Sequence, residues 1–480
     1  MISEALKRVI DSGYLLDPSF SSITNTDVAP FIDYVSRLNP KPMVLTSQHY
    51  TEFMKAYGFP MQRNSMDLVK VYEPENRKRD MMDWIAMYNN RYDRLRELLQ
   101  NRYELRNPVS ISRIVQMSGN ESVSTIGMVR SVQKSQKGNI IVEVEDKSSV
   151  VKVIFTMSKQ DAYDKACELV EDEVVGIVGV KSSDVIFADN VIYPDIPEIE
   201  VKKGPDDIYA AFTADTHVGS NVFLDKPLSK FLDWLNGKVG DSRQVEMASK
   251  VGYLFVTGDL VDGIGVYPEQ EKELLIPDIY KQYEKFAEFF SRVPERIKVI
   301  ICPGNHDALR LSEPQPALYK DIAKPVYDLP NVTMVSNPSY ININKVDGFP
   351  GFNVLMYHGY SMDHYVANVE KLRLAGGYDR GDLIMAFLLR KRHLAPSHGS
   401  TLAAPMKDDF LLIDKVPDIF VTAHLHSKTQ IGLYKNVVNI TSSCWQGQTL
   451  FQEKLGHHPD PAKVPLFNLK TRETKILTFI

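Results

Sequence analysis

The sequence predicts a multidomain chain in which an α-helical N-terminal region and a small β-barrel precede an α/β domain with buried strands. Three observations carry that prediction. A length of 480 residues exceeds what one hydrophobic core usually supports, so two or three domains are expected. Residues 109–200 read as five short strands with one helix between the third and fourth. From Ile208 onward apolar strands recur, and each runs at once into a cluster of metal-ligating residue types.

Residues 1–75 form the helical N-terminal region, with Ser3 capping a helix through Ile10 and Asn25 or Thr26 capping a second through Leu38. Residues 76–108 form a helical linker, in which Trp84, Tyr88, Tyr92, Leu95 and Leu99 repeat at helical spacing. Such a stripe packs on a neighbour; the alternative is a partner-binding helix. Over 109–200, Val123–Val129, Ile140–Asp146, Val150–Phe155, Val174–Val180 and Val185–Ile192 are strand-like, and Ser158–Val170 is helical. That order is the one expected of an OB-fold barrel. Such barrels often bind single strands, but this one is acidic and poor in exposed aromatics, which favours packing over DNA binding. Pro194–Pro205 marks the last boundary, before a domain spanning 205–480.

Composition narrows the function classes. A hydrophobic fraction of 44% and a charged fraction of 24% are globular values. A net charge of −5 is not the basic balance of a free-standing nucleic-acid binder, so such contact needs local patches, metal cations or a partner subunit. The three cysteines, Cys167, Cys302 and Cys444, are far apart and lack CxxC spacing. They predict neither a disulfide framework nor a structural zinc site, and they fit a reducing cytoplasm. No apolar run reaches the roughly 20 residues needed to span a bilayer, and the charged N-terminus is not a signal sequence, so the protein reads as soluble and cytoplasmic, without a membrane partner.

The chemistry lies in the C-terminal domain. Ile208–Ala214 runs into Asp215-Thr216-His217, and Val251–Thr257 into Gly258-Asp259. Ile297–Cys302 runs into Pro303-Gly304-Asn305-His306-Asp307, Phe352–Tyr357 into His358-Gly359, and Asp418–Ala423 into His424-Leu425-His426. Val437–Thr441 is a sixth strand of the same kind. In sheets of buried strands, sites form at the strand carboxyl ends, so these clusters converge although they are far apart in sequence. Gly258, Gly304 and Gly359 permit the tight turns this requires. A single DxH or HxH is a chance pattern, and a single buried histidine is usually a satisfied core residue. The ordered series is far more specific.

Four imidazoles, two carboxylates and one amide oxygen suit two borderline divalent metals. Manganese is the first expectation, with iron, zinc, nickel or magnesium as alternatives, although an all-oxygen magnesium site would not use four imidazoles. Asp259 is the natural bridge, because a carboxylate offers two oxygens. Paired metals about 3.5–4 Å apart suit in-line phosphoryl displacement.

The series resembles that of the calcineurin-like metallophosphoesterase superfamily over residues 205–480. The resemblance implies a four-layer α/β fold, a β-sandwich flanked by helices. It implies Asp215, His217, Asp259 and His426 on one metal, and Asp259, Asn305, His358 and His424 on the other. It further implies that His306 assists the leaving group and that Asp307 orients His306. Two positions depart from the pattern. Ala423 replaces the usual glycine before HxH, and Asp262 stands where the nuclease branch often has a helper histidine, which leaves the burden on His306.

The order of helical region, acidic barrel and phosphoesterase resembles the small-subunit family of archaeal family D DNA polymerases. Local matches include Gly258–Pro268, Leu389–Pro396 and Ser442–Thr449. The resemblance implies a 3′→5′ proofreading exonuclease acting on single-stranded or mispaired 3′ ends during DNA replication. It also implies a large catalytic polymerase subunit as heterodimer partner, with a sliding clamp as a further partner. The alternatives are a stand-alone metallophosphoesterase or repair nuclease, and a non-catalytic scaffold. Arg390, Lys391 and Arg392 are candidate substrate-phosphate contacts, with a solvated helix face as the alternative. His457-His458 reads as surface or subunit contact.

Overall fold

The computed structural model describes residues 4–18, 28–57, 64–105 and 107–480. The expected caps Ser3, Asn25 and Thr26 lie outside them. Helices α1 (Glu4–Asp11), α2 (Ala29–Ser36) and α3 (Ser47–Tyr57) gather Leu6, Val9, Phe31, Val35 and Met54 into a small core that takes in Val245 from the C-terminal part. Strand β1 (Met66–Val71) corrects the expectation of a helical segment over 1–75. It pairs antiparallel with Ser339–Ile343, far along the chain. A six-residue edge strand draws its stability from the sheet it completes, so its local sequence carries little signal.

Helix α4 (Met81–Leu99) starts at Asp80, whose carboxylate caps it in a reciprocal box with Asp83. Its Tyr92, Leu95 and Leu99 pack on Leu105, Ile126, Met128 and Val174, which confirms the packing reading of that part of the aromatic stripe. Its Arg91 donates to Asp409 at 2.7 Å on another side. The helix is thus wedged between two bodies.

One of those bodies is a closed five-stranded barrel of β2 (Glu121–Lys134), β3 (Ile140–Glu145), β4 (Val150–Phe155), β5 (Val174–Ser182) and β6 (Val185–Ile192), in the order β2-β3-β4-β6-β5. Helix α5 (Gln160–Ala166) lies between the third and fourth strands. Strict alternation of buried and partly buried positions along β3 points Ile140, Val142 and Val144 into the barrel.

The other body has two six-stranded sheets. The first contains β7 (Tyr209–Thr213), β8 (Val251–Thr257), β9 (Lys298–Cys302) and β10 (Val332–Met334), all parallel. The second contains β11 (Ser339–Ile343), β12 (Phe352–Met356), β13 (Ile419–Thr422), β14 (Gln430–Tyr434) and β15 (Val437–Thr441), with β1 at one edge. Strands β16 (Lys463–Asn468) and β17 (Thr474–Thr478) then complete the first sheet beside β7. The inner faces meet through Phe212, Phe255, Ile300 and Cys302 on one side and Ile343, Val354, Val421 and Ile440 on the other. Helices cover both outer faces, through Leu228, Phe231 and Phe286 on the first sheet and Tyr365, Phe387 and Leu388 on the second. The strands are buried on both faces, which explains their unbroken apolar sequences.

The basic run Arg390, Lys391 and Arg392 is corrected here from substrate contact to structural cement. Lys391 is 1% exposed and pairs with Glu173 of the barrel at 2.8 Å. Arg390 pairs with Glu168, and Arg392 donates to the carbonyls of Ile413 and Asp414. The barrel carboxylates that meet these cations lie more than 200 residues away in sequence, so the run by itself looks free for phosphate. Cys302 and Cys444 are buried, and all three cysteines are free thiols. Among the described residues no helix is long and apolar enough to cross a membrane.

Candidate metal centre

The turns after the strands carry unusual backbone. Asp215 (φ 49°), His217 (φ 47°), Asp259 (φ 49°), His424 (φ 70°) and His426 (φ 52°) all sit in the left-handed region. Each such residue costs about 1–3 kcal/mol and persists only where its surroundings over-determine it. The loops come very close together. A Cβ at Gly258 would collide with the His358 ring, and one at Gly304 with the Asp259 carboxylate.

These turns bring all seven candidate ligands to one place. Asp215, His217 and His426 offer ligand atoms within 4.8 Å of one another, and so do Asp259, His358 and His424. Asp259 stands between the groups, with Oδ2 3.8 Å from His217 Nε2 and 3.3 Å from His358 Nε2. Asn305 Oδ1 lies 2.9 Å from the same His358 nitrogen. His358 Nδ1–H donates to the Thr257 carbonyl at 2.9 Å, and His217 Nδ1–H to Asp262 Oδ1 at 3.1 Å. Each bond commits Nδ1 and turns Nε2 into the cluster. His424 pairs with Asp363 at 3.0 Å, and its backbone N–H donates to Asp215 Oδ2.

The electrostatics fit bound cations. Asp215 Oδ1 is buried and accepts no hydrogen bond. Burial and the neighbouring Asp259 push the Asp215 carboxyl well up, although His358 opposes the shift. Burial alone would raise Asp259 as well, but His358, His306 and His217 hold it well below the usual range. Burial drives His217 and His426 down, toward the neutral form that ligates metal. Burial also works against a charged His358, yet Asp259 and Asp215 raise it to about 10. Two buried carboxylates thus call for positive charge, and imidazole, carboxylate and amide donors together suit Mn, Fe, Zn or Ni.

His306 is half-buried at the cluster, and its ring meets that of His217 edge-on at 4.5 Å. Its backbone N–H donates to Asp259 Oδ1 at 2.7 Å, and its Nδ1–H to the Asp262 carbonyl at 2.8 Å. The expected Asp307–His306 bond is therefore corrected. Asp307 turns inward and accepts from the Gly304 N–H at 2.9 Å and the Tyr283 hydroxyl at 3.1 Å. Consecutive side chains of this tight loop diverge, so one enters the site while the next satisfies the loop's own amide. Burial and Asp259 push Asp307 up to about 7.

Asp262 orients two histidines, one through its carboxylate and one through its carbonyl. Gln446 and Gln270 donate to that carboxylate at 2.9 and 3.0 Å. Sequence reasoning saw at Asp262 only a missing helper histidine. It also missed Asp363 and Gln452, whose amide donates to His426 Nδ1 at 2.9 Å. Thr449 three residues before Gln452 is a capping-box signal that locates the helix but not this contact. A cavity of about 240 Å³ opens over the cluster, lined also by Tyr267, Tyr378, Phe451 and His457. His457, expected as a surface or subunit contact, is part of that lining.

Behind His358 lies a buried relay. Its N–H donates to Asn337, whose amide donates to Glu313, which also accepts from the Tyr357 hydroxyl at 3.1 Å. Burial pushes the Glu313 carboxyl from 4.5 up to about 7. Its protonated form therefore contributes stability that is complete below pH 4.5 and lost as pH rises through 7. Glu313→Gln is expected to raise Tm at pH 8 but not at pH 4.5, flattening a dependence of at most about 3 kcal/mol. Thermal melts of both proteins across that range check this; parallel pH profiles would refute it.

The comparisons with known proteins agree with this geometry. The Calcineurin-like phosphoesterase family profile matches residues 209–428. The DNA polymerase II small subunit of Methanothermobacter thermautotrophicus is 38% identical over 440 residues, 88% of this chain and 88% of that one. The small subunit of Archaeoglobus fulgidus is 34% identical over 462 residues, 96% of this chain and 88% of the relative. That of Pyrococcus abyssi is 39% identical over 401 residues, and there this chain spans only 63% of the relative's length. Likeness on that scale extends well beyond the phosphoesterase segment, through the barrel and α4, and on it the chain belongs to the family of archaeal DNA polymerase II small subunits.

Proposed function

We propose that this chain is the nuclease-bearing small subunit of a two-subunit archaeal replicative polymerase. In this reading its phosphoesterase domain is a two-metal 3′→5′ exonuclease that removes terminal nucleotides from single-stranded or mispaired DNA ends. The observation that carries the reading is Asp259, placed between two converging groups of imidazole and carboxylate ligands. Asp215, His217, Asp259 and His426 would hold one ion, and Asp259, Asn305, His358 and His424 the other. Bound there, paired divalent ions, manganese first, stabilise the attacking and leaving oxygens of an in-line displacement.

The chain's own residues do the rest. His306, tied through Nδ1–H to the Asp262 carbonyl, keeps Nε2 for the cavity, where its imidazolium form can give the Nε2 proton to the departing 3′ oxygen and become neutral. Asp262 and Gln452 hold His217 and His426 in their orientations. Asp307 holds the Gly304–Asp307 loop in shape.

The rest of the chain serves assembly. Its division is an N-terminal region (1–75) of helices followed by β1, a helical linker (76–108), an OB-fold (109–200) and the nuclease (205–480). The strand order of the barrel, with its helix between the third and fourth strands, supports the OB-fold reading. The buried pairs between Glu168, Glu173 and the Arg390–Lys391 run favour a packing role for it over DNA binding. The large catalytic subunit is the partner, with a sliding clamp as a further one, in the cytoplasm.

The test is Mn²⁺ with single-stranded DNA carrying a label at either end, with and without the large subunit. Stepwise loss from the 3′ end, reduced about 10²-fold or more by His306→Ala, is the expected result. Release from the 5′ end would overturn the polarity. Absence of release with every metal would leave a scaffold, and hydrolysis of small diesters alone would leave a general phosphoesterase.

A further inference from the structure

The cavity over the metal cluster has a wall that none of the roles above explains. Tyr267, in the loop that begins at Asp259, stacks on Phe451 with ring centroids 5.1 Å apart and planes 22° apart. The Tyr267 hydroxyl donates to Glu273 at 3.0 Å, which fixes its ring. The Tyr267 ring lies 6.3 Å from that of His306. Phe451 sits on the short helix Leu450–Leu455, immediately before Gln452, which bonds His426. Both rings are thus anchored to segments that carry the cluster. Even so, 39% of Phe451 is open to solvent, next to exposed Leu450 in the chain and with Val266 on the same cavity wall.

The charge at the cavity is equally informative. Among the described residues that line it there is no lysine or arginine. The basic run Arg390–Arg392 is engaged by Glu168, Glu173 and the Ile413 and Asp414 carbonyls. The cavity lining therefore offers a polyanion neither of the side chains that ordinarily supply most nucleic-acid affinity. What the wall offers is ring surface, and aromatic faces hold unpaired bases of any identity.

We propose that Tyr267 and Phe451 form a stacking platform for an unpaired nucleobase next to the cleaved phosphodiester, and that these two side chains set the preference for unpaired ends. This rests on the nuclease reading above and assigns the side chains behind its preference. A base in a duplex is already paired and stacked, so it must lose those contacts before it reaches the platform. A mispaired terminal base has less to lose. The platform therefore discriminates by pairing state and not by base identity.

The experiment uses the full chain with Mn²⁺ and two single strands, one natural and one abasic at its last two 3′ positions. Nucleotide release gives kcat/KM for each, and fluorescence anisotropy gives binding. The wild type is expected to favour the natural strand by roughly 5- to 150-fold, the effect of one base–aromatic stack. That preference falls to near one in Phe451→Ala and Phe451→Leu and is kept in Phe451→Trp, which also shows that the helix tolerates substitution. A preference unchanged by Phe451→Ala overturns the platform while leaving the nuclease intact. So does a variant whose only defect is weaker association with the large subunit, which would make the rim a protein contact. If no strand is cleaved, a Phe451-dependent binding preference sustains the platform and sinks the nuclease reading; its absence sinks both.

Discussion

Replacing Asp259 by Asn is expected to lower nucleotide release by about 10³-fold or more, because the residue stands between both ligand groups and no neighbour can substitute for it. The amide keeps the shape but loses the charge, and one of its two oxygens becomes a donor. Asp259 Oδ1 also accepts from the His306 backbone at 2.7 Å, a bond the asparagine oxygen can keep, so the loss reports on the missing charge and the missing second oxygen. Mn²⁺ titration followed by calorimetry should show loss of tight binding in Asp259→Asn, and chelation of the wild type should reproduce its inactivity. Activity within tenfold of wild type would sink the assignment of Asp259 as the shared ligand.

Lys391→Ala is expected to be the most destabilising single change at the seam between the barrel and the phosphoesterase. Lys391 is buried, pairs with Glu173, donates to the Glu168 carbonyl at 2.8 Å and lies 4.0 Å from the Tyr193 ring centroid. Burial pushes the lysine down to about 8 and the Glu173 carboxyl up, so both partners already suffer from lost hydration. Removing the lysine leaves Glu173 buried and uncompensated, a loss of about 3–5 kcal/mol. The paired change Lys391→Met with Glu173→Leu should recover most of it, since an apolar pair avoids that desolvation. Thermal melts of the two variants and the wild type decide the matter. A single variant as stable as the wild type would mean that water reaches the seam.

The two cases differ in how far they were legible beforehand. The seven candidate ligands were readable because metal chemistry restricts the donor types, and because buried strands announce themselves as unbroken apolar runs. Their order along the chain then places each donor at a strand end. The barrel was readable for a related reason, since its period-two alternation and the position of its helix are local. Arg390, Lys391 and Arg392 looked like phosphate contacts because nothing within reach in sequence neutralises them.

The same division runs through the site. The candidate donors, the strands that end at them, the separate barrel and the absence of an overall basic charge are legible in the primary structure alone. Those follow from residue type and short-range periodicity. Only the tertiary structure decided that Asp262, not Asp307, holds His306, that β1 completes the second sheet, and that Tyr267 meets Phe451 beside His306. Each depends on side chains or strands that approach from distant parts of the chain, or on which way consecutive side chains turn in a tight loop. No local pattern encodes those approaches. They are set by how the two sheets, the barrel and α4 fill space together.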